Sequence, residues 1–271
     1  MNPLQPLTYW QEFFQLATAS LLFVLAGMFA LWMLHLPLRN AALVDFGWTI
    51  GVSFCGLYFA WNGSGAPHRR LLLALMVLIW GARLALHLLF NRIISQPEEG
   101  RYAELRRKWS PGFEWKILLF FLAQAVSCVV LALPFLLACL SSAAELHFTE
   151  QGAVVLWVFA TSGVIIADIE LNRFRSKPEN AGQVCREGLW AWSRHPNYFF
   201  EWLIWISYGI YAMTANWGFL GFLAPGLMLH FMLNVTGIPP TEEQALRSRG
   251  DAYRKYQAEV SPFFPLPPKA S

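Results

Sequence analysis

The sequence predicts an all-α integral membrane protein with seven transmembrane helices, the N-terminus outside and the C-terminus in the cytosol. Three observations predict it. Of 271 residues, 56% are apolar and only 14% charged, at a mean hydropathy of +0.40, a balance that does not suit a water-soluble surface. Apolar runs of about 20 residues recur along the whole chain, the length a helix needs to cross a hydrocarbon core about 30 Å thick. Basic residues are also placed unevenly: with the N-terminus outside, 17 of the 20 Lys and Arg fall on the inside.

The runs are 13–34, 41–61, 71–90, 117–140, 152–171, 198–214 and 217–237. No basic residue precedes the first run, no small-residue cleavage site follows it, and it is longer than a signal-peptide core, so it reads as a retained span. Ala215 and Asn216 leave almost no loop between the last two. The outside segments hold only Arg69 and Arg70, while Arg83 lies within the third span, and an odd number of spans fits this asymmetry. Disorder, collagen and coiled-coil readings are excluded, and a net charge of +3 gives no argument for a nucleic-acid partner. Cys55, Cys128 and Cys139 sit in apolar runs and Cys185 stands alone in a polar loop. They read as structural thiols, with neither metal-ligand spacing nor a disulfide framework. No internal repeat supports an inverted-repeat transporter.

Polar residues gather in 172–197 and 239–271, on one expected face of the membrane. Arg83, His87 and Asn91 share a helix face at i, i+4 and i+8, and a buried Arg needs a partner or a wet cavity, although residues near a span's end also snorkel. Asp168, Asn172 and Arg175 form a second stripe. Acid and amide suit sugar hydroxyls and the guanidinium suits phosphate, unless the group is a plain helix-end charge cluster. The densest cluster runs from Gly188 to Glu201. Pro196 opens the sixth span, Arg194 and His195 stand at its mouth, and Asn197 and Glu201 pair one turn apart. Free N–H groups beside Arg and His can seat a phosphate or carboxylate, while Tyr198 and the Trp residues also suit an interfacial belt. In the tail, Glu242, Glu243, Arg247, Arg249, Tyr253 and Tyr256 fit either a ligand face or an ordinary amphipathic helix. His230 and Asn234 pair one turn apart in the last span, where they could line the same cavity or simply bond between helices.

The stretch Ser193, Arg194, His195, Pro196, Asn197, Tyr198, Phe199, Phe200, Glu201, preceded by Glu187, Gly188, Leu189 and Trp190, resembles the C-terminal part of the steroid 5α-reductase family. The whole chain looks most like its bacterial DUF1295 membrane-protein branch, through Val44–Trp48, Trp80–Leu84, Ala167, Asp168, Phe174 and Gly250–Tyr256. The resemblance implies a reductase of the bacterial inner membrane that binds NADPH and takes a lipophilic substrate from the bilayer, with membrane lipids around it and no metal. It implies an N-terminal three-helix substrate side in 1–116 and a C-terminal cofactor-binding region in 117–271, integrated as one membrane domain. Arg83 and Asn91, Asp168 and Arg175, and Asn197 and Glu201 match family positions at the same separations. His87, Asn172, Arg194, His195, Tyr198, Glu243 and Tyr253 complete the expected cofactor set. At the substrate end, animal steroid reductases use a Glu and a Tyr, whereas here Trp80 stands at the Tyr position. An indole N–H donates a hydrogen bond but relays no proton, so the acid role is expected of Asp45, alone or with Tyr58. A similar Arg-His-Pro-x-Tyr pattern occurs in membrane methyltransferases that use S-adenosylmethionine, which is the alternative enzyme reading. A small transporter lined by Arg83, Asp168 and Glu201 is the alternative outside enzymes. No sequence feature sets the oligomeric state.

Overall fold

The computed structural model describes residues 8–94, 98, 100–143 and 145–269. Eleven α-helices and no β-strand occur among the described residues: α1 (Tyr9–Leu38), α2 (Leu43–Asn62), α3 (Pro67–Leu88), α4 (Gly100–Lys108), α5 (Phe113–Leu131), α6 (Leu133–Cys139), α7 (Phe148–Arg175), α8 (Pro196–Ala212), α9 (Leu223–Asn234), α10 (Ile238–Arg249) and α11 (Asp251–Glu259).

The ends follow from local chemistry. Thr8 and Gln11 bond reciprocally at the start of α1, satisfying two otherwise orphaned N–H donors, and Arg39 closes the helix in the left-handed region at φ 48°. Pro67, Pro134 and Pro196 stand in the first turns of α3, α6 and α8, where proline's missing N–H costs nothing. The expected fourth span is two helices, α5 and α6. Pro134 cannot donate to the preceding turn, and the chain restarts at Leu133 after a break at Ala132.

Among the described residues, six helical stretches are long and apolar enough to cross a membrane: Tyr9–Leu38, Leu43–Asn62, Pro67–Ile93, Phe113–Cys139, Phe148–Arg175 and Gly218–Arg249. Their surfaces suit a hydrocarbon solvent. On α7, Val155, Val158, Phe159, Ile165, Ile166 and Ile169 are exposed, while Ala153, Trp157, Ala160, Gly163, Val164 and Ala167 are buried. The helix is apolar on both sides, so amphipathicity for water is not what orients it. The expected sixth span corresponds to α8, whose 17 residues fall just short of the length of the other six.

The chain divides into two compact units. Unit 1 comprises Met1–Thr149 and Tyr211–Ala224, and its fully buried side chains include Phe59, Trp80, Phe121 and Phe135. Unit 2 comprises Glu150–Ile210 and Pro225–Ser271, with one core of Ala245, Tyr253, Tyr256 and Val260 and another of Phe174, Cys185 and Trp190. Cys185 stands in the loop where the sequence placed it, and it is a structural thiol of this core. It is buried, and burial pushes its thiol up, which keeps it protonated and inert.

Candidate functional site

In unit 2 the loop before α8 is pinned to α7. Glu170 accepts the Leu189 amide at 2.9 Å, and the Trp190 indole donates to the Ala167 carbonyl at 2.9 Å. Gly188 makes this approach possible, since its φ is +54° and a Cβ there would overlap the Glu170 carboxylate. Ser193, Arg194 and His195 are thereby held, all buried, at the first turn of α8.

Arg194 and His195 meet a residue of α10. Glu242 Oε1 accepts Arg194 Nε at 2.6 Å and lies 3.3 Å from His195 Nε2, while Gln257 donates to Oε2 at 2.9 Å. The Tyr253 hydroxyl donates to the same carboxylate at 3.5 Å, and burial, reinforced by the Glu242 charge, pushes that phenol above its usual range. Arg194 Nη1 also donates to the Gln257 and Val260 carbonyls at 2.9 and 2.7 Å. The Tyr198 ring stacks on His195 with centroids 5.3 Å apart, and its hydroxyl lies 3.4 Å from Thr241 Oγ1. Arg194, expected at a ligand's phosphate, is thus engaged by its own protein. It locks the C-terminal helices onto the loop.

Of the consecutive glutamates, the expectation chose Glu243. The structure turns Glu243 to solvent, where it pairs with Arg247, and turns Glu242 inward. Asn197 Oδ1 accepts the neighbouring Tyr198 amide at 3.1 Å, and Glu201 stands half-buried one turn further on. On α7 the stripe survives, because the helix runs unbroken to Arg175, with Asp168 half-buried and Asn172 and Arg175 exposed. Arg249 lies close enough to repel Arg175, and Arg249 donates to the Gln183 carbonyl at 2.9 Å. Neither guanidinium has a carboxylate partner among the described residues.

In unit 1, Arg83 and His87 are half-buried on one face of α3. Asn91 lies exposed in the π-helical turn Leu89–Ile93 that follows α3. Asp45, in the first turn of α2, accepts the Tyr102 hydroxyl at 2.8 Å, Arg92 Nη1 at 3.4 Å and the Arg101 guanidinium. Next to it, Glu98 accepts the Ala41 amide at 2.9 Å and grips Arg106 through both oxygens at 3.0 and 3.1 Å. Partial burial pushes the Glu98 carboxyl up, but the Arg106 and Ala41 hydrogen bonds prevail and hold it below the usual range. Tyr58 cannot share Asp45's role. It lies 13 residues along the same helix, about 20 Å away at 1.5 Å per residue, stacked on Phe54 with centroids 5.7 Å apart. Trp80 is fully buried with its edge towards Trp48, 6.2 Å between centroids.

Sequence reasoning missed Tyr102 and Gln257, and of the two tail glutamates it set Glu243 rather than Glu242 in the expected cofactor set. Tyr102 carried no local signal, sitting in a charged stretch without periodicity. Glu242 carried a weak one, three residues after Pro239 opens a helix. Among the described residues no group of three or more His, Cys, Asp or Glu could hold a metal ion.

Long apolar helices, with a loop of unit 2 clamped to its C-terminal helices by a buried Arg–Glu pair, define a class: multi-pass helical membrane proteins that carry a built polar cluster. Within it, the chain belongs to the family described as Protein of unknown function (DUF1295), whose profile matches residues 31–260. The chain is also similar to Uncharacterized protein C594.04c of Schizosaccharomyces pombe, at 27% identity over 268 residues, covering 87% of this chain and 75% of that protein. No solved structure matches it.

Proposed function

We propose that this protein is a membrane-embedded, NADPH-dependent reductase of an activated C=C bond in a lipophilic enone such as a 3-oxo-4-ene steroid, as its resemblance to the steroid 5α-reductases implies. In this reading α8 completes seven spans, since 17 residues reach about 25 Å and tilting or snorkelling ends accommodate the difference. The N-terminus then lies outside, and unit 2's polar end faces the cytosol, where the cofactor is found.

The observation that carries the reading is the pair Arg175 and Arg249, two guanidiniums near one another with no carboxylate between them, at the foot of the Asp168–Asn172 stripe. Two unneutralised guanidiniums suit a polyanion such as a dinucleotide's phosphates, and the acid and amide above them suit ribose hydroxyls. When bound, NADPH supplies the hydride for the β-carbon of the enone. The chain's own part is to orient the substrate and to give the enolate a proton. At the substrate end, Asp45 is an acceptor for Tyr102, so the proton-bearing member of that pair is the Tyr102 hydroxyl. Of the two tail glutamates that would serve S-adenosylmethionine in the methyltransferase reading, Glu242 is already engaged by Arg194, His195 and Gln257.

Titrating the purified protein with NADPH and separately with S-adenosylmethionine tests the reading. NADPH fluorescence should shift saturably, with no response to S-adenosylmethionine. Arg175→Ala should weaken NADPH about ten- to a hundredfold, the loss of one charge-assisted contact, at unchanged thermal stability. Binding of S-adenosylmethionine alone, or NADPH affinity indifferent to Arg175, overturns it.

A further inference from the structure

We propose that the C-terminal strap, residues 261–266, forms with Trp192 a contact that seats in the headgroup layer of an anionic bilayer. The strap is tightly fixed. The Arg194 amide donates to the Ser261 carbonyl at 2.8 Å, Ser193 Oγ to the Phe263 carbonyl at 2.8 Å and the Leu266 amide to the Trp192 carbonyl at 3.0 Å. These bonds send Phe263 inward, where it is buried. They leave Trp192 at 47%, Phe264 at 49% and Leu266 at 54% exposed, all tied to one short stretch of backbone. Three large apolar side chains fixed outward beside the polar helices α10 and α11 need a covering medium.

The bilayer is the occupant this position favours, for two reasons. The first is continuity with the apolar helices. Phe264 packs its edge on Phe199 and Trp202 in the first two turns of α8, at 5.9 and 6.1 Å. Trp202 in turn donates to the Pro225 carbonyl of α9 at 3.1 Å, and α9 itself exposes Leu223 and Phe231. The strap thus lies level with a helix end, where Trp and Phe are favoured at a membrane–water boundary. The second is charge. Arg186 and Lys255 both pair with the Glu259 carboxylate, and the backbone of Lys269 is tied to that of Glu259, so three basic residues share this stretch with one acid. Apolar anchors next to surplus cations make the pattern of an interfacial segment that prefers anionic lipid. Because the strap's bonds run to Ser193 and Arg194, seating it would also steady the loop that carries His195.

Site-directed spin labelling tests this, and the four native cysteines are all buried. Leu266→Cys and, as a second reporter, Phe264→Cys are labelled with a nitroxide in vesicles of phosphatidylcholine with phosphatidylglycerol, and Asp251→Cys on exposed α11 serves as the aqueous reference. Labels at 264 and 266 should be reached several-fold better by oxygen than by a water-soluble nickel chelate, with the reverse at 251. The label at 266 should sit shallower in pure phosphatidylcholine. Free access of the chelate to 264 and 266 overturns the proposal, as does protection that rises with protein density, which would mark a second copy as the occupant. Equal depth in both lipids overturns its anionic preference.

Discussion

Units 1 and 2 each hold a carboxylate gripped by guanidinium and phenol groups, and the two grips differ in burial. In unit 2 the Arg194 and Glu242 side chains are 9% and 14% exposed, whereas in unit 1 Arg101 and Asp45 are 33% and 21% exposed. Two opposite charges near water gain little over their hydrated states, while a desolvated pair is weak as a net gain but costly to break, because the survivor is stranded. The lesson is that the unit 2 cluster works as a lock and the unit 1 cluster as an adjustable surface network. Four substitutions probe that contrast, taken from the largest effect to the smallest.

Arg194→Ala should be the most damaging, at about 3–5 kcal/mol, since it leaves Glu242 buried and frees the Gln257 and Val260 carbonyls. Urea unfolding in detergent, followed by near-ultraviolet circular dichroism, measures it, and Arg194→Met with Glu242→Leu should recover part of the loss. If Arg194 serves a ligand instead, stability will hold and only ligand affinity will fall.

Gly188→Ala should cost about 1–3 kcal/mol, because the new Cβ meets the Glu170 carboxylate at a left-handed φ. Glu170→Ala removes the obstruction, so in the double variant the two effects should not add. Additive losses in a double-mutant cycle would break the claimed contact between the loop and α7.

In unit 1 the expected signature is a pH response. Glu98 has its pKa held below the free carboxylate value, so its stabilising contribution is complete above about pH 4.3 and is lost as pH falls through the lower folded value. Glu98→Gln should lower stability by about 1 kcal/mol at neutral pH, discounted for the partly exposed Arg106, and flatten the acid limb of a melting-temperature profile. An unchanged acid limb would remove Glu98 from the network. The smallest effect belongs to Asp251→Asn, where an exposed pair with Arg254 on α11 should leave the melting temperature within experimental scatter.

What the sequence by itself determined is what depends on composition and local period. Apolar runs of sufficient length located all the long helices, since in hydrocarbon a backbone must satisfy its hydrogen bonds within its own segment. Pro196 at a first turn marked the start of α8, and the Asp168–Asn172–Arg175 stripe survived because α7 runs without a break. Where the helix changes locally, the sequence was silent: the π-helical turn at Leu89–Ile93 and the break before Pro134 inside the fourth run carried no periodic signal. Only the tertiary structure decided the partners. Glu242 rather than Glu243 meets Arg194, Tyr102 rather than Tyr58 meets Asp45, and Cys185 is packed under Trp190. Each of these pairings joins residues that a one-dimensional pattern cannot bring together, because the choice rests on which helix face packing turns inward and on how much water remains around the charges there.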